Sequence, residues 1–278
     1  MRKLSFLESR LQAVREGAPL VQAITNFVTV NDCANIILAI GGSPTMAHHI
    51  AEAAEAVEGA QALVLNMGAI EDADAMVLAG RRANQLGKPV VLDPVAAGGT
   101  TLRREVAQRL LQELKLTVIR GNASEIRALA EGKNAGSGVD VGAMDAVTEE
   151  NLSRGVELAR ELSRKTGAVV ALSGVIDIIT DGTRTGIIRN GCATMARITG
   201  SGCMLTALIG AFCGASPEQP FEAAAAGVAA MGVCGELAEA RRLAQGTGTA
   251  TFRNDLIDAV SNLTAQQLIG GARYEEIE

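Results

Sequence analysis

Short runs of β-branched and aliphatic residues that end in Gly, Asp or Asn alternate along the chain with longer stretches whose apolar positions recur at helical spacing. Residues 62–66 (ALVLN) precede a helical pattern over 71–85, residues 89–93 (PVVLD) one over 101–114, and residues 117–120 (TVIR) one over 123–130. A helix over 149–165 leads into a further run, 168–172 (AVVAL). Continuous apolar strands separated by helices of this length predict parallel strands buried on both faces. The expected fold class is therefore α/β, a layered fold with a mostly parallel central sheet and helices on both faces. Residues 175–180 and 184–189, joined through Asp181-Gly182-Thr183, predict a hairpin. The remainder reads as helices over 202–215, 220–244 and 252–268, the last two separated by Gly246-Thr247-Gly248-Thr249. An opening helix over 4–15 and a tail over 270–278 carry no role that the pattern reveals.

The chain has 278 residues with no linker-like stretch, which predicts one domain over 1–278. Hydrophobic residues make up 48%, but there are only five Phe, one Tyr and no Trp, so the core must be packed from aliphatic side chains. The net charge of −6, with no basic run, argues against nucleic acid and anionic membrane surfaces as partners. Charges at Glu8 and Arg10 break up the N-terminus before a secretory core forms. The apolar runs 204–215 and 223–235 are short for a bilayer span. Five cysteines, odd in number and never in a C-x-x-C pair, suggest neither a disulfide framework nor a zinc site and fit a cytoplasmic location. A small-molecule partner is expected.

In open parallel sheets, ligands sit beyond the carboxyl ends of the strands. The residues there are polar: Asn66, Asp93, Arg120-Gly121-Asn122 and Ser173-Gly174. Singly, each has a local explanation: Asp93 before Pro94 as a turn residue, Asn122 and Glu125 as a helix cap and its reciprocal partner. Together, at successive strand ends, they point to a nucleotide and metal site. Thr199-Gly200-Ser201-Gly202-Cys203 opens an apolar helix, where unpaired N–H groups and the helix dipole favour an anion and glycines admit a phosphate close to the backbone. No G-x-x-x-x-G-K-[ST] occurs, and neither Gly136-Ser137-Gly138 nor Gly246-Thr247-Gly248 completes G-x-G-x-x-G after a strand. The adjacent pair His48-His49 cannot face one way on a helix and has no third ligand nearby, so a solvated helix start or a subunit contact is expected.

The segments QAITNFVTVNDCANIILAIGGSPTMA (22–47), LVLNMGAI, VVLDPVAAGGT, VIRGNASEI, ALSGVIDII and RITGSGCMLTALIGAF occur in this order between residues 20 and 212. This set closely resembles the hydroxyethylthiazole kinase family of the ribokinase-like superfamily. The resemblance implies ATP-dependent, magnesium-assisted phosphorylation of the hydroxyl of 4-methyl-5-(2-hydroxyethyl)thiazole, a salvage step toward thiamine. It also implies a homotrimer with active sites at subunit interfaces. Carried over by position, Asn26, Val28, Met46 and Gly200 are expected to bind the thiazole. Arg120, Ser173 and Thr199 are expected to bind ATP, Asp93 and Glu125 to lie in the magnesium region, and Gly200, Ser201, Gly202 and Cys203 to form an anion hole.

Most ribokinase-like enzymes place an aspartate where this chain has Cys203, and the thiazole kinases share the cysteine. A thiol, with an ordinary pKa of ~8.5, is a weak general base. A loose phosphoryl-transfer transition state needs little proton abstraction, so weak assistance by Cys203 is the expectation, against the alternative of a small buried apolar residue. Two other functions stay open: a ribokinase-like kinase for another small alcohol such as hydroxymethylpyrimidine, and a non-catalytic nucleotide-binding homologue.

Overall fold

The computed structural model describes residues 4–132 and 147–277; Gly136-Ser137-Gly138 lies outside them. Helix α1 (Ser5–Gly17) leads into strand β1 (Leu20–Ile24), α2 (Val30–Ile40), β2 (Ser43–Thr45), the short α3 (Ala53–Ala56) and β3 (Ala62–Asn66). Alternation continues through α4 (Ala73–Gln85), β4 (Val90–Asp93), α5 (Thr101–Glu113), β5 (Val118–Asn122), α6 (Ala123–Glu131), α7 (Leu152–Thr166) and β6 (Val169–Ser173). Strands β7 (Asp177–Thr180) and β8 (Thr185–Ile188) follow, then α8 (Ser201–Ala215), α9 (Pro220–Gln245), α10 (Thr249–Ser261), α11 (Ala265–Gly271) and β9 (Tyr274–Ile277).

The strands form one nine-stranded sheet in the order β2-β1-β3-β4-β5-β6-β7-β8-β9. Pairings from β2 to β6 are parallel and those from β6 to β9 antiparallel. Strand residues alternate between two buried cores because successive side chains leave a strand on opposite faces. Val64, Val91, Val118 and Val169 enter the core with α1, α2, α8, α9 and α10, whereas Leu63, Leu65, Val90, Leu92, Ile119 and Val170 enter the core with α4 to α7. The predicted layering with helices on both faces is what the structure has.

Several elements differ from the pattern-based expectation. The hairpin is shorter than 175–189 because Val175 is exposed and pairing begins at Asp177. Its loop spans Asp181 to Arg184, and the Asp181 carboxylate accepts from the N–H groups of Thr183 and Arg184, holding a turn wider than the two-residue type. The helix expected over 252–268 is two helices, because Thr264 starts α11 afresh with a reciprocal cap to Gln267. The tail is the edge strand β9, paired antiparallel with β8. Helix α9, 26 residues, is long and apolar enough to cross a membrane by length and composition, but most of it is buried between neighbouring helices, as a core helix would be.

Candidate active site

Strands β3, β4, β5 and β6 end at one edge of the sheet, in the registers Asn66↔Asp93 and Asn122↔Ser173, so their last residues come together by topology. Asp93 is fully buried there. Its Oδ2 accepts from Asn66 Nδ2 at 3.1 Å and Thr206 Oγ1 at 2.8 Å, and lies 3.6 Å from Arg120 Nη1. Its Oδ1 is buried with no partner among the described residues. Burial pushes the Asp93 carboxyl up to about 6; Arg120 opposes that rise and nearby Glu125 adds to it.

Helix α8 begins at this edge. Gly200 caps it with φ +82°, and a Cβ there would come 2.6 Å from Thr29 Cγ2, so both its backbone angle and its close approach to the 26–29 turn require glycine. The first helical bond runs from Met204 N–H to the Gly200 carbonyl. The N–H groups of Ser201, Gly202 and Cys203 therefore have no carbonyl within the helix. Gly202 leaves room for Arg120: a Cβ would lie 2.5 Å from Arg120 Nη1, so the guanidinium rests on the first turn of the helix and a side chain at 202 would displace it. Arg120 in turn donates from Nη2 to Ser173 Oγ at 2.6 Å. A positive charge, a hydroxyl and three unpaired N–H groups thus surround one spot, which is the chemistry of an anion site.

The half-buried Cys203 sits at the junction of two groups of residues. Its Sγ receives Asn66 Nδ2 at 3.2 Å and Asn26 Nδ2 at 3.5 Å. Asn26, at the end of β1, closes its own turn by accepting from Val28 N–H and Thr29 N–H at 3.1 and 3.2 Å. Val28 is exposed beside it, and Met46, just after β2, is half-buried against the α8 side of the core. A cavity of ≈ 590 Å³ is lined by Arg120, Ser173, Ser201 and Gly202 and by the apolar Cys192, Met195, Leu205, Val228 and Met231. Thr199 is exposed and lies outside that lining.

Glu125 occupies a capping box at the start of α6. Its Oε2 accepts from Asn122 N–H at 2.9 Å, and its Oε1 from Ala96 N–H at 3.0 Å, so both oxygens hold backbone. The two histidines stand apart from these residues: exposed His48 faces Asp72 at 3.4 Å, and His49 Nδ1 accepts from Ala51 N–H. Pattern reading found Asn66, Asp93, Arg120 and Ser173 but missed Thr206 and Asp177. Thr206 had a usable signal, its place one helical turn beyond Gly202, on the helix face that meets the strand ends.

The layering is that of the ribokinase-like α/β class, with a glycine-rich helix start suited to an anion and an acidic residue at a neighbouring strand end. The sequence profile of the Hydroxyethylthiazole kinase family matches residues 11–266, and the chain belongs to that family. It is 46% identical over 272 residues to hydroxyethylthiazole kinase of Clostridium acetobutylicum, covering 97% of this chain and 99% of that relative. With the Desulfovibrio desulfuricans hydroxyethylthiazole kinase it shares 48% identity over 278 residues, 96% of this chain and 97% of that one. The solved structure of the Pyrococcus horikoshii OT3 hydroxyethylthiazole kinase protein superposes with a TM-score of 0.86 at 34% identity, over 99% of this chain and 100% of that chain. An ADP complex of Bacillus subtilis pyridoxal kinase shares the fold at a TM-score of 0.57 and 17% identity, over 78% of this chain and 91% of that chain.

Proposed function

We propose that this protein transfers the γ-phosphoryl group of ATP to the hydroxyl of 4-methyl-5-(2-hydroxyethyl)thiazole. The observation that carries this reading is Cys203, whose Sγ receives Asn26 and Asn66 Nδ2 and whose N–H belongs to the same helix start on which the Arg120 guanidinium, bonded to Ser173, rests. A thiazole held at Asn26 and an ATP phosphate held at Arg120 would meet there. Arg120 and the N–H groups of Ser201, Gly202 and Cys203 neutralise the transferring group, and Ser173 orients Arg120. The acceptor oxygen bonds to the γ-phosphorus as the bridging oxygen leaves with ADP. The hydroxyl proton passes to Cys203 Sγ or directly to the phosphoryl oxygens, late in the step.

The unpartnered Oδ1 of Asp93 is a hard, buried anionic oxygen, the kind of ligand that suits Mg²⁺. Asp93 would hold the ion, which supplies charge neutralisation on the phosphates when bound. Glu125 contributes through its charge and by fixing the 93–96 and 122–125 turns, since both of its oxygens are occupied. Thr199, exposed next to Gly200, remains a candidate for the outer phosphates. A homotrimer with active sites at subunit interfaces is supported by the exposed apolar pair Phe27 and Val28, which directly follow Asn26. Five free cysteines fit a cytoplasmic location.

The test is ADP formation by the purified protein with Mg-ATP, alone, with the thiazole, and with hydroxymethylpyrimidine. Thiazole-dependent ADP release is expected. Release with the pyrimidine alone would overturn the substrate, and ATP binding without any stimulated release would indicate a non-catalytic homologue.

A further inference from the structure

Asp177, which opens β7, lines the cavity and has no part in the chemistry above. Its side chain is buried, at 8% exposure. Oδ1 accepts from Gly174 N–H at 2.9 Å and closes the turn between β6 and β7. No donor among the described residues reaches Oδ2. The nearest cationic influence is Arg120, whose guanidinium is engaged by Ser173 and Asp93. Burial pushes the Asp177 carboxyl up to about 7, the direction expected of a carboxylate short of donors. Oδ2 thus opens to the cavity that Asp177 lines, free to accept a hydrogen bond from a ligand there.

The sheet register says which part of a ligand that is. Leu172 pairs with Ile178, which sets Asp177 beside Ser173 at the anion end of the cavity. Asp177 itself pairs with Ile188, which sets it beside the 190–193 wall leading to the apolar end. An ATP molecule with phosphates at Arg120 and its base among Met195, Val228 and Met231 spans this point with its sugar. Phosphate oxygens carry no donor and are repelled by a carboxylate, whereas sugar hydroxyls donate to one.

We propose that Asp177 accepts a hydrogen bond from a ribose hydroxyl of the phosphoryl donor and so makes the protein selective for ribonucleotides over deoxyribonucleotides. This rests on the reading of the cavity as the ATP site. A hydrogen bond to a charged acceptor corresponds to ~10- to 100-fold in affinity.

The test is calorimetric binding of ATP, 2′-deoxy-ATP and 3′-deoxy-ATP, with magnesium and without thiazole, to the full chain and to Asp177→Ala and Asp177→Asn. Asp177→Asn keeps an oxygen for Gly174 and guards against loss of the turn; thermal melts verify folding. One deoxynucleotide should bind the parent protein ~10-fold or more weakly than ATP, and in Asp177→Ala that preference should shrink to within ~3-fold. A merely structural role would weaken all three nucleotides in parallel. Equal binding of all three by the parent protein, or a preference that survives in both variants, overturns the proposal. Failure to bind any adenine nucleotide overturns it together with the ATP reading. Discrimination that depends on Asp177 in a protein inactive on the thiazole upholds it and refutes only the substrate.

Discussion

Asp93 is buried deeply enough that its donors only partly offset the loss of water, and this gives its ionisation two opposite consequences. From its ordinary 3.8 the carboxyl is pushed up to about 6, so between about pH 4 and 6 the folded protein keeps a proton that the unfolded chain releases. The folded state binds more protons there, so stability falls as pH rises through that window. Activity runs the other way, because only the ionised carboxylate serves the phosphoryl chemistry. We expect kcat/KM for Mg-ATP to climb through about pH 6 while Tm declines over the same range. Asp93→Asn should flatten its share of the Tm decline and lower kcat/KM by ~100-fold or more. A Tm that rises between pH 4 and 6 in the parent and is unchanged in slope by the substitution would contradict this account. At Cys203, weak assistance predicts that Cys203→Ala lowers kcat by less than ~100-fold and that Cys203→Asp stays active. A larger loss on removing the thiol would identify it as the principal base.

At the scale of elements, the start of α8 is fixed by contacts that leave no room for side chains. The Gly200 φ of +82° and the Thr29 methyl at 2.6 Å from a virtual Cβ make Gly200→Ala strained in backbone and in packing. The expected loss is ~1–3 kcal/mol of stability, read from denaturant midpoints. Gly202→Ala has ordinary helical angles to accommodate but would displace the Arg120 guanidinium, 2.5 Å away. Its stability should change little while KM for ATP rises several-fold, since the charge moves off the anion site. A Gly202→Ala protein with parental KM for ATP would mean that Arg120 does not serve the nucleotide from this position.

Across the whole molecule, the last strand is tied to the cavity wall. Buried Asn190 donates to the Gly271 carbonyl at 2.8 Å and accepts from Arg273 N–H at 2.7 Å, while Gly191 N–H donates to Glu236 at 2.9 Å. Asn190 and Gly191 both line the cavity. Removing residues 272–278 would leave the β8 edge unpaired and Asn190 Oδ1 without its donor, a loss of about 1–3 kcal/mol for that group alone. A drop in Tm of several degrees is expected, with ATP binding weakened more than thiazole binding. Equal weakening of both ligands would show that β9 supports only general stability.

Layering was legible in the sequence because each strand and crossover helix announces itself by local periodicity: 62–66, 89–93, 117–120 and 168–172 all fall on observed strands. The rule that ligands gather beyond parallel strand ends was enough to single out Asn66, Asp93, Arg120 and Ser173 before any contact was known. Periodicity did not reveal the short β1 and β2, the break before Thr264, or β9, whose four residues form a strand only because β8 offers an edge. Nor could it show that Glu125 spends both oxygens on backbone, that Thr206 reaches Asp93 across 113 residues, or that Asp177 turns one oxygen toward a cavity. A residue's tendency to sit in a strand or cap a helix depends on its sequence neighbours and is written in the chain. What its polar atoms meet depends on which distant elements pack against it, and burial raises the energy of every unmet donor or acceptor, so only the tertiary structure decides where the chemistry lies.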